Sequence, residues 1–269
     1  MAPLRKARVD GRTIAFREAG AGPALVLLHG IGGASQTWAN QLDSFAARFK
    51  VIAWDAPGYG GSDDLAHETP SPDDYARALA GLLDKLKVER AHVVGQSAGA
   101  PIAAAFCRLF PPRALSFTFC HGLAGTAMLA PEAREAARRA RLEPFAALGP
   151  AGFAAARGPG VLGPGAAPAL VTDVVATMAA VRPAGYRGMV EMLARADVIA
   201  DAPRIAAPAL VMCGGADKVA PEAACRAVAD ALGAAFALLP GVGHYGCLED
   251  PAAFDTALAA FLDRAGGGC

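Results

Sequence analysis

A chain of 269 residues with Lys+Arg 25 against Asp+Glu 25 has no net charge with which to hold nucleic acid or an acidic membrane surface. It is 54% hydrophobic, yet no apolar run reaches the ~18–20 residues of a spanning helix, and glycine or proline breaks every candidate. Six cysteines (Cys107, Cys120, Cys213, Cys225, Cys247 and Cys269) include no Cys-x-x-Cys pair, and the opening "MAPLRKARVDG" lacks the apolar stretch of a secretory signal. Both features predict a cytoplasmic chain of scattered reduced thiols, without a disulfide framework or a metal site.

Two short strands, "LRKARV" and "RTIAFREA", flank an Asp10-Gly11 turn and predict a hairpin. "ALVLLHG" is a continuous apolar run of strand length, which predicts a strand covered on both faces. "WANQLDSFAARF" reads as a helix and "VIAWDAPG" as a strand. "SPDDYARALAGLLDKLKV" is a helix with Ser71 as cap and Pro72 in the first turn. The strand "AHVVG", the helix "SAGAPIAAAFCRLF" and the strand "ALSFTFCHG" follow. Strands alternating with helices imply a mostly parallel sheet.

Beyond Leu123 the alternation stops. "PEAREAARRARL", "PALVTDVVATMAAV" and "AGYRGMVEMLARAD" read as helices, interrupted by the loop "RGPGVLGPGAAP". The alternation resumes with "PALVMCGG", "PEAACRAVADAL", "AFALLPG" and "DPAAFDTALAAFLDRA". The expected organisation is one α/β core, residues 1–122 and 203–269, with an all-helical insertion over 123–202.

Ser97 stands in "GQSAG", where a strand turns into a helix. A sharp strand–turn–helix lifts the hydroxyl above the sheet edge, and Gly95 and Gly99 leave room for the crossing elements. Serine needs a base, and the base an orienting acid. His29 and His92 sit at strand ends, where packing is the simpler role, and His67 lies in a polar loop. His121 ends a strand near the expected pocket. His244, in "PGVGHYGCLEDP", lies between the last strand and the last helix, so its loop carries it back toward Ser97. Asp217, in "LVMCGGADKVAP", follows a strand upstream of that histidine, although Pro221 also permits a capping role. No carboxylate appears after "TFCHG" until Glu132. For the oxyanion, the turn "LLHGIGG" offers the N–H of Ile31, with Gly32 as the alternative, and Ala98 follows the serine.

Together "HGIGG", "WDAPGYGGSD", "GQSAG", "GGADKVAP" and "GVGHYGCLEDP" resemble, in order, the motifs of capped serine hydrolases of the α/β-hydrolase fold. The resemblance implies Ser97 as nucleophile, Asp217 as acid and His244 as base, and a helical cap over 123–202. "WDAPGYGGSD" is similar to the enol-lactonases and meta-cleavage-product hydrolases of aromatic catabolism. Gln96 and Tyr245 depart from the asparagine and tryptophan common in the carbon–carbon hydrolases.

The sequence thus predicts a cofactor-independent esterase or lactonase acting on a small, largely apolar substrate, as a monomer or homodimer. Gln96, His121, Met189, Met192, Leu193 and Tyr245 are candidate substrate contacts. The run Arg134, Arg138, Arg139 and Arg141 reads as a solvated helix face with a Glu135–Arg139 pair, the alternative being a surface that greets an anion. A carbon–carbon hydrolase and a non-catalytic binding protein of the same fold are the competing readings.

Overall fold

The computed structural model describes residues 1–266; Cys269 lies outside them. Eight strands form one sheet: β1 Leu4–Val9, β2 Arg12–Ala19, β3 Ala24–Leu28, β4 Lys50–Trp54, β5 Ala91–Gln96, β6 Ala114–Cys120, β7 Ala209–Gly214 and β8 Ala235–Leu239. Their order is β1-β2-β4-β3-β5-β6-β7-β8. The β1–β2 and β2–β4 pairs are antiparallel and the other five are parallel. The hairpin turn has both Asp10 and Gly11 at positive φ, 46° and 78°, which is the twist-compatible geometry that Asp-Gly favours.

The helices are α1 Ala39–Ser44, α2 Pro72–Lys85, α3 Gly99–Leu109, α4 Pro131–Arg157, α5 Pro168–Ala179, α6 Pro183–Arg195, α7 Val198–Asp201, α8 Glu222–Leu232, α9 Gly246–Glu249 and α10 Pro251–Gly266. They cover both faces, which is why β3 and β4 do not alternate with polar residues. Leu25, Leu27, Val51 and Ala53 pack with Leu42 of α1 and with Phe254, Leu258 and Phe261 of α10. The intervening Val26, Leu28, Ile52 and Trp54 pack with Leu79 and Leu82 of α2, Phe106 of α3 and Val228 of α8. Period-two geometry splits each strand between two apolar layers.

Two helix expectations change. "WANQLDSFAARF" does not form one helix; a 3-10 turn at Ser35–Trp38 leads into α1, which stops at Ser44. There the chain turns back, with the carbonyls of Ala46 and Phe49 packed where a side chain on Gly20 would stand. The helix expected at "PEAREAARRARL" instead continues to Arg157 in two legs. Gly149, at φ 66° and ψ 173°, breaks it just before Pro150, whose ring disfavours helical geometry at the preceding residue.

The stretch from β6 to β7 carries α4 to α7 and no strand. Its residues Phe145, Phe153, Tyr186, Met189 and Met192 are continuous with the larger core layer. Among the described residues, no helix is long and apolar enough to cross a membrane. The five described cysteines are free and buried.

Candidate active site

At the end of β5 the backbone of Ser97 takes φ 54°, a left-handed value that costs a non-glycine residue of order 1–3 kcal/mol. Its N–H donates to the Cys120 carbonyl at 3.0 Å, and its carbonyl accepts from Ala100 at 3.1 Å and Leu123 at 3.3 Å. These bonds hold the strained turn against its neighbours. A Cβ on Gly95 would stand 2.4 Å from the Gly99 carbonyl oxygen, and one on Gly99 would stand 2.4 Å from that of Leu28. The two glycines therefore admit the strand-to-helix crossing that exposes the serine.

Three elements meet at that hydroxyl. His244 follows β8, and its Nε2 lies 2.8 Å from Ser97 Oγ. Its Nδ1 lies 2.8 Å from Oδ2 of Asp217, which follows β7. An ionised carboxylate only accepts, so Nδ1 carries the proton, and Nε2 is free to accept from the serine hydroxyl. Burial opposes the charge on Asp217, but His121, His244 and the Ala220 N–H together hold its pKa well below the usual carboxylate range. Its Oδ1 accepts from Val219 at 2.8 Å and Ala220 at 2.9 Å. The aspartate thus caps its own turn while its other oxygen orients the imidazole.

Two further side chains brace the loops. The Gln96 amide accepts from the Gly30 N–H and donates to the His244 carbonyl, both at 2.9 Å. Glu249, which sequence reasoning passed over, accepts from Gly163 at 2.7 Å and from Gly243 and Tyr245 at 2.9 Å. Its carboxylate joins the histidine loop to the loop after α4. Its place four residues beyond Tyr245 in "HYGCLEDP" was the visible signal, but a three-way backbone acceptor has no sequence signature.

Ser97 and His244 open onto a cavity of about 630 Å³, whose wall includes Ile31, Leu193 and Tyr245. Phe145, Phe153 and Tyr186 form an aromatic cluster in that wall, with Phe145 and Tyr186 stacked at 3.9 Å between centroids. Among the described residues, the N–H groups of Ile31, Gly32 and Ala98 have no protein acceptor. Gln96, His121, Met189 and Met192 do not line the cavity, which corrects their expected contact role. Gln96 is spent on backbone groups, and both methionines are fully buried in the core. His121, also fully buried, stands behind the acid with Nδ1 in a long polar contact, 3.5 Å from Asp217 Oδ2. Burial lowers its pKa despite that carboxylate.

The other histidines are accounted for. His29 Nε2 accepts from the Ala56 N–H at 3.0 Å, His92 Nδ1 meets Ser116 Oγ at 2.8 Å, and His67 lies 3.6 Å from Asp74. On α4 the ion pairs are Arg138–Glu135 at 3.0 Å and Arg139–Glu143 at 3.6 Å, in place of the expected Glu135–Arg139.

Over 103 residues the chain is 45% identical to the 2-hydroxy-6-oxononadienedioate/2-hydroxy-6-oxononatrienedioate hydrolase of Paraburkholderia phymatum. That match spans 36% of this chain and 36% of the relative, so the similarity covers only about a third of the curated relative's length. A thermophilic esterase from Thermogutta terrifontis, solved with malate bound, superposes with a TM-score of 0.88 at 25% identity, covering 98% of this chain and 99% of the other. The enol-lactonase from Burkholderia xenovorans gives 0.78 at 25% identity, covering 96% and 100%. The model of the Alpha/beta hydrolase family matches residues 25–257. By that match, and by a mostly parallel eight-stranded sheet between helical layers, the chain belongs to the alpha/beta hydrolase family.

Proposed function

We propose that the protein is a serine hydrolase that cleaves a small carboxylic ester or lactone through an acyl-enzyme. The observation that carries this reading is the unbroken Ser97–His244–Asp217 chain, with two contacts of 2.8 Å, opening onto the cavity. Ser97 Oγ attacks the carbonyl carbon while His244 Nε2 takes its proton. Asp217 steadies the imidazolium that forms. The N–H groups of Ile31 and Ala98 receive the oxyanion, a role supported by their lack of protein acceptors. As the tetrahedral intermediate collapses, His244 returns the proton to the leaving oxygen. Water then attacks the acyl-enzyme by the same route, and the acid product departs.

In this reading residues 123–202 act as a cap over the carboxyl ends of the strands, the edge where such sheets bind ligands. Leu193 and Tyr245 are wall residues facing the substrate.

The name of the Paraburkholderia relative favours a second reading, hydrolysis of a carbon–carbon bond in a vinylogous diketone. Steady-state turnover of a p-nitrophenyl ester and of a ring-cleavage dienoate, measured side by side, separates the two. Ester turnover with kcat lowered by on the order of 10⁴ in Ser97→Ala is the expected result. Faster dienoate turnover gives the reaction to the second reading, and ester turnover surviving in Ser97→Ala removes the assigned nucleophile.

A further inference from the structure

The cavity is not electrically neutral. Arg141, Arg157 and Lys218 line it, and no aspartate or glutamate does. Elsewhere Arg108 pairs with Asp73 and Asp201, Arg113 with Asp84 and Arg195 with Glu191. Among the described residues, none of the three cavity cations has a carboxylate oxygen within 4.0 Å. The guanidinium of Arg141 instead donates to the Ala137 carbonyl at 2.9 Å.

Their arrangement follows from the break in α4. Arg141 and Arg157 are sixteen positions apart. On one straight helix they would stand roughly 24 Å apart and face different directions. The kink at Gly149 redirects the second leg, bringing the Phe153 ring within 5.3 Å of Phe145, and both arginines line one cavity. Lys218 arrives separately, on the turn that carries Asp217. Burial lowers the pKa of Arg141, Tyr186 acts against that shift, and the neighbouring charge of Arg157 lowers it further; the charge of a bound anion would oppose both lowering effects. The rest of the wall, with Phe145, Phe153, Met178 and Tyr186, suits a short hydrocarbon body.

We infer that the substrate bears a carboxylate, bound by Arg141, Arg157 and Lys218, while its ester or lactone carbonyl lies at Ser97. This replaces the largely apolar substrate expected from sequence, and its catalytic part rests on the serine-hydrolase reading above. The carboxylate keeps its charge throughout and takes no part in bond making. Its role is to fix which carbonyl reaches the nucleophile.

The test compares p-nitrophenyl hemisuccinate, an anion, with its neutral methyl ester, at low and high salt. The expected kcat/KM ratio of anion to neutral ester is about tenfold or more at low salt and shrinks as salt screens the exposed cations. The ratio should fall by about tenfold in Arg141→Gln and in Arg157→Gln, with partial recovery in Arg141→Lys. A wild-type ratio at or below one overturns the inference, as does a ratio that none of the variants changes. Binding of monomethyl succinate against dimethyl succinate, followed by calorimetry, reads the same preference without turnover. Selective binding of the monoester with no turnover of either nitrophenyl ester would sink the serine-hydrolase reading and support the anion site, whereas equal binding of both succinates would sink the anion site.

Discussion

Asp217 and Gln96 separate orientation from chemistry at the level of single side chains. Asp217→Asn keeps the shape but removes the acceptor that holds His244 Nδ1–H at 2.8 Å, so kcat should fall by on the order of 10³–10⁴ with KM nearly unchanged. Steady-state kinetics on a nitrophenyl ester checks this, and unchanged kcat would assign the acid elsewhere. Gln96→Leu removes a side chain with no exposed surface and leaves the Gly30 N–H and the His244 carbonyl without their partner. Urea denaturation should show a loss of about 2 kcal/mol or more. That Ser97, His244 and Asp217 meet was legible because each occupies a fixed kind of place: a turn between glycines, or a loop after a strand. Gln96, His121 and Glu249 were not legible in their actual roles, since those depend on which backbone atoms lie within 3 Å or so across the fold.

Helix α6 shows how one element can serve two neighbours. Met189 and Met192 are fully buried in the core, whereas Leu193, one position on, reaches the cavity wall. Helical spacing places all three on adjacent faces, and the pattern alone does not say which face meets solvent space and which meets the sheet layer. Met189→Ala and Met192→Ala should each cost about 2–5 kcal/mol of stability by denaturant titration. Leu193→Ala, at a buried side chain of the same cluster, should in addition shift kcat/KM between short and long acyl esters, and an unchanged chain-length profile would remove it from the substrate wall. Helix α4 carried a different lesson. Its continuation past "RARL" contains Pro144, Gly149 and Pro150, which read as an end of helix, yet tertiary packing of Phe145 and Phe153 against Tyr186 supports helix on both sides of the break.

Across the whole molecule, buried imidazoles link stability to pH. Burial lowers the pKa of His29, His121 and His92, the last to about 4. Each stays neutral in the fold while its unfolded counterpart takes up a proton below its ordinary value of 6.5. The unfolded state therefore binds more protons in this range, and stability falls as pH drops below about 6.5 toward 4. Asp217 acts at lower pH: its lowered pKa contributes stability above the ordinary carboxylate value of 3.8, lost as pH falls toward its folded value. A thermal melt series from pH 8 to pH 4 should show a steadily falling Tm, with a flatter slope in His92→Gln. A Tm independent of pH over that range would mean that these rings are solvated.

The central claim is that Ser97 becomes covalently acylated, and intact-protein mass spectrometry after reaction with a fluorophosphonate tests it most directly. The probe stands in for the acyl group, with phosphorus taking the place of the carbonyl carbon and its oxygen that of the oxyanion. One adduct per chain is predicted, mapped by peptide sequencing to Ser97 and absent in Ser97→Ala. An unmodified wild-type chain, or an adduct that persists in Ser97→Ala, would contradict the account.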